Sequence, residues 1–239
     1  MKKRNILFST LAVLLLGIST TSCEDMLRTE SKVVMYDDEN TLSGVTDTVY
    51  SVMGIINKIQ KIADRTILLG EVRGDLVEPT DHINADLLAI ANFDRITEDN
   101  RYNSIVDYYS VINNCNFFLA HADTTLTINE LKIFEREYAA VLGFRAWTYL
   151  QLAINYGEVP YYTYPVVTEA DVEKAYAEGK KDIKAITEDL APRLIPYLDY
   201  DLPVFVQTQG GYPILRLVLA DLYLWSGDYE NAAKYLEEY

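Results

Sequence analysis

Glu137-Tyr-Ala-Ala-Val-Leu-Gly-Phe-Arg-Ala-Trp-Thr-Tyr-Leu150, followed by Asn155-Tyr-Gly-Glu-Val-Pro160, is the most informative run in this sequence. At 3.6 residues per turn, a helix over about Asn129 to Tyr156 carries two stripes. Phe134, Tyr138, Val141, Arg145, Tyr149 and Leu152 form one; Ala139, Gly143, Ala146, Trp147 and Leu150 form the other. A helix that is apolar or small on most sides has little surface suited to water, so this one is expected between other elements. Gly157 is its natural stop, and Pro160 forbids continuation. Arg145 sits on the apolar stripe, where a buried guanidinium needs acidic or carbonyl partners, which marks it as structural. Trp147 and Trp225 fall on packing faces and are expected in the core.

Weaker periodicities surround this helix. Val49, Met53, Ile56 and Ile59 predict a helix over about Val45 to Ala63. The run from Thr66 to Pro79, with two glycines and a closing proline, predicts a loop with an apolar start, and residues 80 to 100 show no period. A second strong helix is expected over about Tyr102 to His121. Asn113, Asn114 and Asn116 interrupt it, and their poor helix propensity implies specific bonding partners. A further helix is expected near Val172 to Leu190, then a tyrosine-bearing loop broken by Pro192, Pro196 and Pro203. The last stretch predicts a helical hairpin: Tyr212 to Trp225, a Ser226-Gly227-Asp228 turn, and Tyr229 onward.

The N-terminus carries an address. Lys2, Lys3 and Arg4 precede an apolar run from Ile6 to Ile18, too short to span a bilayer, which takes about 20 apolar residues. Ser19-Thr20-Thr21-Ser22 then lead into Cys23, the arrangement lipoprotein processing requires, although Thr20 stands where an aliphatic residue is usual. Residues 1–22 are expected to be a signal peptide and 23–43 an acidic, lipidated tether. Acyl chains at Cys23 would anchor the protein without making it span, each buried methylene contributing about 0.8 kcal/mol.

Removal of the signal leaves 217 residues with 18 basic against 36 acidic side chains. So acidic a surface repels phosphate backbones, which excludes nucleic acid as a partner. Cys115 would be the remaining free thiol, so no disulfide framework is expected. The 19 tyrosines are more than an ordinary share, and tyrosine suits both helix packing and wet interfaces. His82 and His121 stand in no metal spacing, and no zincin, nucleophile-elbow, phosphate-loop or dinucleotide signature occurs. Neither catalysis, a metal nor a cofactor is expected.

Leu219, Ala220, Tyr223, Gly227, Tyr229, Ala232 and Leu236 occupy the positions a tetratricopeptide repeat gives to packing residues. Small Ala220 and Ala232 let two helices approach closely, and one such hairpin needs stacked neighbours. The chain as a whole resembles the SusD/RagB outer-membrane lipoproteins. The resemblance rests on Cys23-Glu-Asp-Met-Leu27, Leu69-Gly-Glu-Val-Arg-Gly-Asp75, Tyr109-Ser-Val-Ile-Asn-Asn-Cys-Asn116 and, most of all, the opening run from Glu137 to Pro160.

That resemblance implies an all-α, tetratricopeptide-like scaffold of helical hairpins with long irregular loops, spanning residues 44–239. It implies a surface lipoprotein of the outer membrane that captures oligosaccharide, or another nutrient, for a TonB-dependent (SusC-like) transporter. The similarity covers only the N-terminal part of the family, so the domain is expected to be incomplete at its C-terminus, with Tyr235 and Leu236 left uncovered. The family's glycan contacts do not transfer by position. Glu71, Arg73 and Asp75 are the ligand-binding candidates on physical grounds, being polar groups on a glycine-flexed loop able to pair with sugar hydroxyls; Arg73 held by a neighbouring acid is the competing reading. The rival function is a tetratricopeptide-type envelope scaffold that binds another protein. A glycan binder should show exposed aromatics beside polar loops, and a scaffold an apolar or charged groove between helices.

Overall fold

The structure is a computed structural model and describes residues 45–74, 77–128, 131–132, 134–201 and 211–239. Cys23, the segments expected to be signal and tether, and Asp75 lie outside the described residues. Helices dominate: α1 Val45–Gln60, α2 Ala63–Gly70, α3 Ala85–Ala91, α4 Val106–His121, α5 Glu135–Tyr156, α6 Glu169–Glu178, α7 Ile183–Leu194, α8 Leu215–Ser226 and α9 Tyr229–Glu237. Two short antiparallel ladders complete the described elements. β1 (Thr127–Ile128) pairs with β2 (Leu131–Lys132), and β3 (Val159–Pro160) with β4 (Lys180–Lys181). The expected all-α architecture is therefore the one observed.

The two-striped helix is α5, and it is the axis of the fold. It packs against α4 on one side, α7 and α8 on others, and touches α1. Thirteen of its 22 residues are buried, which is why its sequence shows no single polar face. Around it stand Tyr108, Ile112, Cys115 and Phe118 of α4, Ile186 and Leu190 of α7, and Leu215, Leu219 and Leu222 of α8, all buried. Each large apolar side chain taken out of water contributes about 1.5–3 kcal/mol, so this one helix organises most of the apolar stabilisation. Close approach to α8 needs Gly143: a Cβ there would lie 2.6 Å from both Leu215 Cδ2 and Pro213 Cγ.

Several sequence expectations are corrected. The run after Thr66 is not a loop at its start: α2 continues through Ile67 and Leu68 to Gly70, burying Leu69, and a 3-10 turn covers Glu71–Arg73. The patternless stretch contains α3, started by Asn84, whose side chain accepts from the Leu87 amide at 3.0 Å. That cap, not periodicity, sets the helix. α5 begins at Glu135 rather than near Asn129, because Thr127–Ile128 and Leu131–Lys132 pair as the first ladder.

The expected helix over Val172 to Leu190 is two helices. Gly179, at φ +78°, ends α6 in a conformation side-chain-bearing residues seldom adopt, and Lys180–Lys181 then pair with Val159–Pro160. Each half has its own start: Thr168 and Asp171 form a capping box on α6, and Asp182 caps α7 through the Ala185 amide. Pro192 does not break α7, which runs to Leu194. A proline in the last turn removes one hydrogen bond at most, and a 3-10 turn over Ile195–Asp201 follows.

The terminal hairpin matches its reading. Gly227 adopts the left-handed conformation at the end of α8, Asp228 caps α9, and Leu219, Ala220 and Ala232 are buried. Tyr223 is half-buried, stacked on Tyr235 with ring centroids 5.7 Å apart and planes 5° off parallel. Tyr235 is therefore buried, against expectation, whereas Leu236 is exposed as expected. Trp225 is also misplaced by the sequence reading, being 54% exposed.

Candidate functional site

Five of the tyrosines lie on or around one strap, residues 159–166, which follows α5 and crosses α4. Its backbone is pinned almost residue by residue. Tyr109 donates to the Pro160 carbonyl at 2.7 Å. Tyr149 donates to the Tyr162 carbonyl at 2.7 Å and accepts from the Tyr162 amide at 3.1 Å. Asn116 donates to the Tyr164 carbonyl at 2.9 Å, and Asn113 both donates to and accepts from Val166 at 2.9 and 2.7 Å. Asn113 and Asn116 fall three apart on α4 and so share one face, which makes the pair a ruler against which the strap is laid. The specific partners expected for these asparagines are those carbonyls and amides; Asn114 instead donates to its own helix at Ser110.

Arg145 closes the arrangement from beneath. It is 3% exposed and donates to Asn116 Oδ1 at 2.9 Å and more loosely to the Thr163 carbonyl at 3.4 Å, while its Nε has no partner. No carboxylate pairs with it among the described residues. Burial pulls its pKa down, opposed by the neighbouring Tyr161 and Cys115. The carbonyl-type partnership expected for this residue is thus observed, without an acid. Burial likewise pushes Tyr149 well above its ordinary value, Tyr162 to about 12 and the Cys115 thiol to about 12. A thiol held protonated in the core is no nucleophile. The strap's backbone is thus held by side chains of α4 and α5.

The opposite side of α5 is finished differently. A cleft of about 380 Å³ opens between α1, α5 and α8. Ile59, Phe144, Trp147, Leu217 and Val218 supply apolar walls, Tyr212 an aromatic one, and Asp221 stands at the exposed lip. Tyr212 meets Phe144 edge-on at 6.4 Å, and its hydroxyl is engaged by Glu137. Apolar surroundings push the Asp221 carboxyl above the usual carboxylate range. Trp147 is therefore only partly a core residue: it packs on the core and lines the cleft.

The candidates on the early loop lie elsewhere. Glu71 is exposed within the 3-10 turn, and Arg73 is half-buried with its Nε unpartnered. The ion pair that ties this region to α4 is made by Arg65, which contacts Asp107 at 2.5 Å and donates to the Ser104 carbonyl at 2.9 Å. No group of three metal-capable side chains occurs among the described residues, and none of their helices is long and apolar enough to cross a membrane.

The described residues form a helical scaffold with a tyrosine-bearing strap laid across α4. Comparison by sequence finds no matching family model and no matching curated protein. Comparison of structures does. A SusD superfamily protein from Bacteroides thetaiotaomicron superposes with a TM-score of 0.61 over 81% of this chain at 21% identity, and a laminarin-binding SusD-like protein with 0.60 over 81% at 18%. The protein has the SusD-like fold. It spans 46% and 42% of those two structures, respectively.

Proposed function

We propose that this protein is a lipid-anchored capture protein of the outer membrane, tethered at Cys23, that binds oligosaccharide or another nutrient for import by a partner TonB-dependent transporter. The observation that carries the reading is the SusD-like fold, shared over 81% of the chain with a structure described as laminarin-binding. Glu71, Arg73 and Asp75 are the proposed sugar contacts, with Glu71 the most accessible of those described. Titration of the purified protein with laminarin and other glycan oligosaccharides should give saturable heat for at least one of them and release no cleaved product. Glu71→Ala should weaken that binding. Silence across the whole panel, or hydrolysis of any member, would remove the reading. The anchor has its own test: fatty-acid labelling should mark the parent and miss Cys23→Ser.

The apolar cleft between α1, α5 and α8 favours a second reading, an envelope scaffold that binds another protein. Affinity for a partner polypeptide in the absence of any glycan affinity would select it.

A further inference from the structure

The cleft on the α8 side of α5 has a composition that selects its ligand. Its volume, about 380 Å³, lies in the range of small-molecule sites. Its walls are apolar and aromatic, and their polar inventory is short. The Tyr212 hydroxyl is taken by Glu137, and the Ile214 carbonyl is taken by the Val218 amide at 3.1 Å. Asp221 alone brings a charge, and no ion pair or hydrogen bond involves it among the described residues. None of the described residues lining the cleft is basic.

A sugar ring would bring several hydroxyls into this space, and most would lose water without gaining a partner. An apolar body carrying one cation has the complementary inventory. The body fills the walls of Ile59, Phe144 and Leu217. The cation meets the Asp221 carboxylate at the lip and the electron-rich faces of Trp147 or Tyr212 beside it. The formal charge of −15 over the whole chain raises the local concentration of cations and disfavours anions of the same shape.

We infer that the cleft bounded by Trp147, Tyr212 and Asp221 is a binding site for an arylalkyl ammonium group, either a free amine or the amino end of a peptide that begins with an aromatic residue. Neither Glu71 nor Arg73 lines this cleft, and neither reading depends on the other.

The chain holds two tryptophans, so Trp225→Phe leaves Trp147 as the single indole reporter. In that otherwise full chain, 2-phenylethylamine should shift Trp147 emission saturably. 3-Phenylpropionate, the same shape with the opposite charge, should bind at least tenfold more weakly. Adding Asp221→Asn should cost the amine at least tenfold and leave the far-ultraviolet circular dichroism unchanged, since Asp221 lies at the surface. A tripeptide Phe-Gly-Gly amide that binds as well as the free amine supports the site and points to peptide ends; one that binds more weakly supports it and points to free amines. A neutral oligosaccharide that leaves the amine in place also supports it. Equal affinity for phenylethylamine and phenylpropionate, or an Asp221→Asn variant that binds the amine undiminished, overturns the assignment. Displacement of the amine by the oligosaccharide would give the cleft to sugar and overturn it too. The charge comparison needs no variant at Asp221, so a folding failure there would not shield the inference.

Discussion

Arg145 and Tyr149 leave α5 toward the strap at 159–166, while Gly143 and Trp147 face Pro213, Leu215 and the cleft on the helix's other side. The first side is closed by hydrogen bonds: five side chains from α4 and α5 hold a strap that has no helix or long strand of its own. The second is closed mainly by shape, through a glycine that lets α8 approach, with the Tyr212–Glu137 contact as its polar tie, and it leaves a cavity open while Leu224 and Trp225 of α8 are exposed. Directional bonds leave a surface finished, whereas apolar contact leaves whatever area the neighbouring helix does not cover. The same helix thus makes a rigid buttress on one face and an open receiving surface on the other.

Substitutions on the two faces should separate accordingly. Asn116→Ala should have the largest effect, about 3 kcal/mol of destabilisation by chemical denaturation, because it removes the closest acceptor of a buried guanidinium and the side-chain donor to the Tyr164 carbonyl together. A loss under about 1 kcal/mol would mean that the strap is not held from α4. Gly143→Ala should cost about 2 kcal/mol, since the added methyl must displace Leu215 and Pro213; a neutral result would show that α8 yields freely. Tyr149→Phe removes one hydroxyl that serves two backbone groups and should cost about 1–2 kcal/mol. Trp225→Ala, on the open side, should change stability by no more than about 0.5 kcal/mol.

Acid should loosen the strap's outer attachment. Burial pushes Asp189 up, but hydrogen bonds from Tyr161 and Arg193 and the charges of Arg193 and Lys181 more than offset this, holding it below its ordinary 3.8. A carboxyl whose pKa is depressed on folding contributes stability above its unfolded value, and that contribution disappears as pH falls through the folded one. Tyr161→Phe should therefore flatten the stability profile below about pH 4, measured by urea midpoints across that window.

What was legible in the sequence was mostly what depends on near neighbours in the chain. The burial of α5, its end at Gly157, the terminal hairpin and the need for partners at Asn113 and Asn116 all follow from residues within a few turns of each other. The division between α6 and α7 rests on one glycine and a two-residue ladder to a strand 21 residues earlier, too little for periodicity to register. Trp225 misled because an aromatic at helical spacing usually packs, yet here it is exposed. The strap had a signal that went unused: Tyr161, Tyr162 and Tyr164 follow directly on a helix whose partner carries asparagines at three-residue spacing. The cleft had none, since Ile59, Trp147 and Asp221 meet only after folding.

Amide hydrogen exchange compares the two faces most directly. The Tyr162 and Val166 amides donate to side-chain oxygens of Tyr149 and Asn113, not to any helix or ladder. If α5 buttresses the strap as described, these two amides should exchange as slowly as those in the middle of α5, despite lying in an irregular segment. Exchange at the rate of an ordinary exposed loop would contradict the account, because the strap would then be opening independently of the helices that are said to hold it.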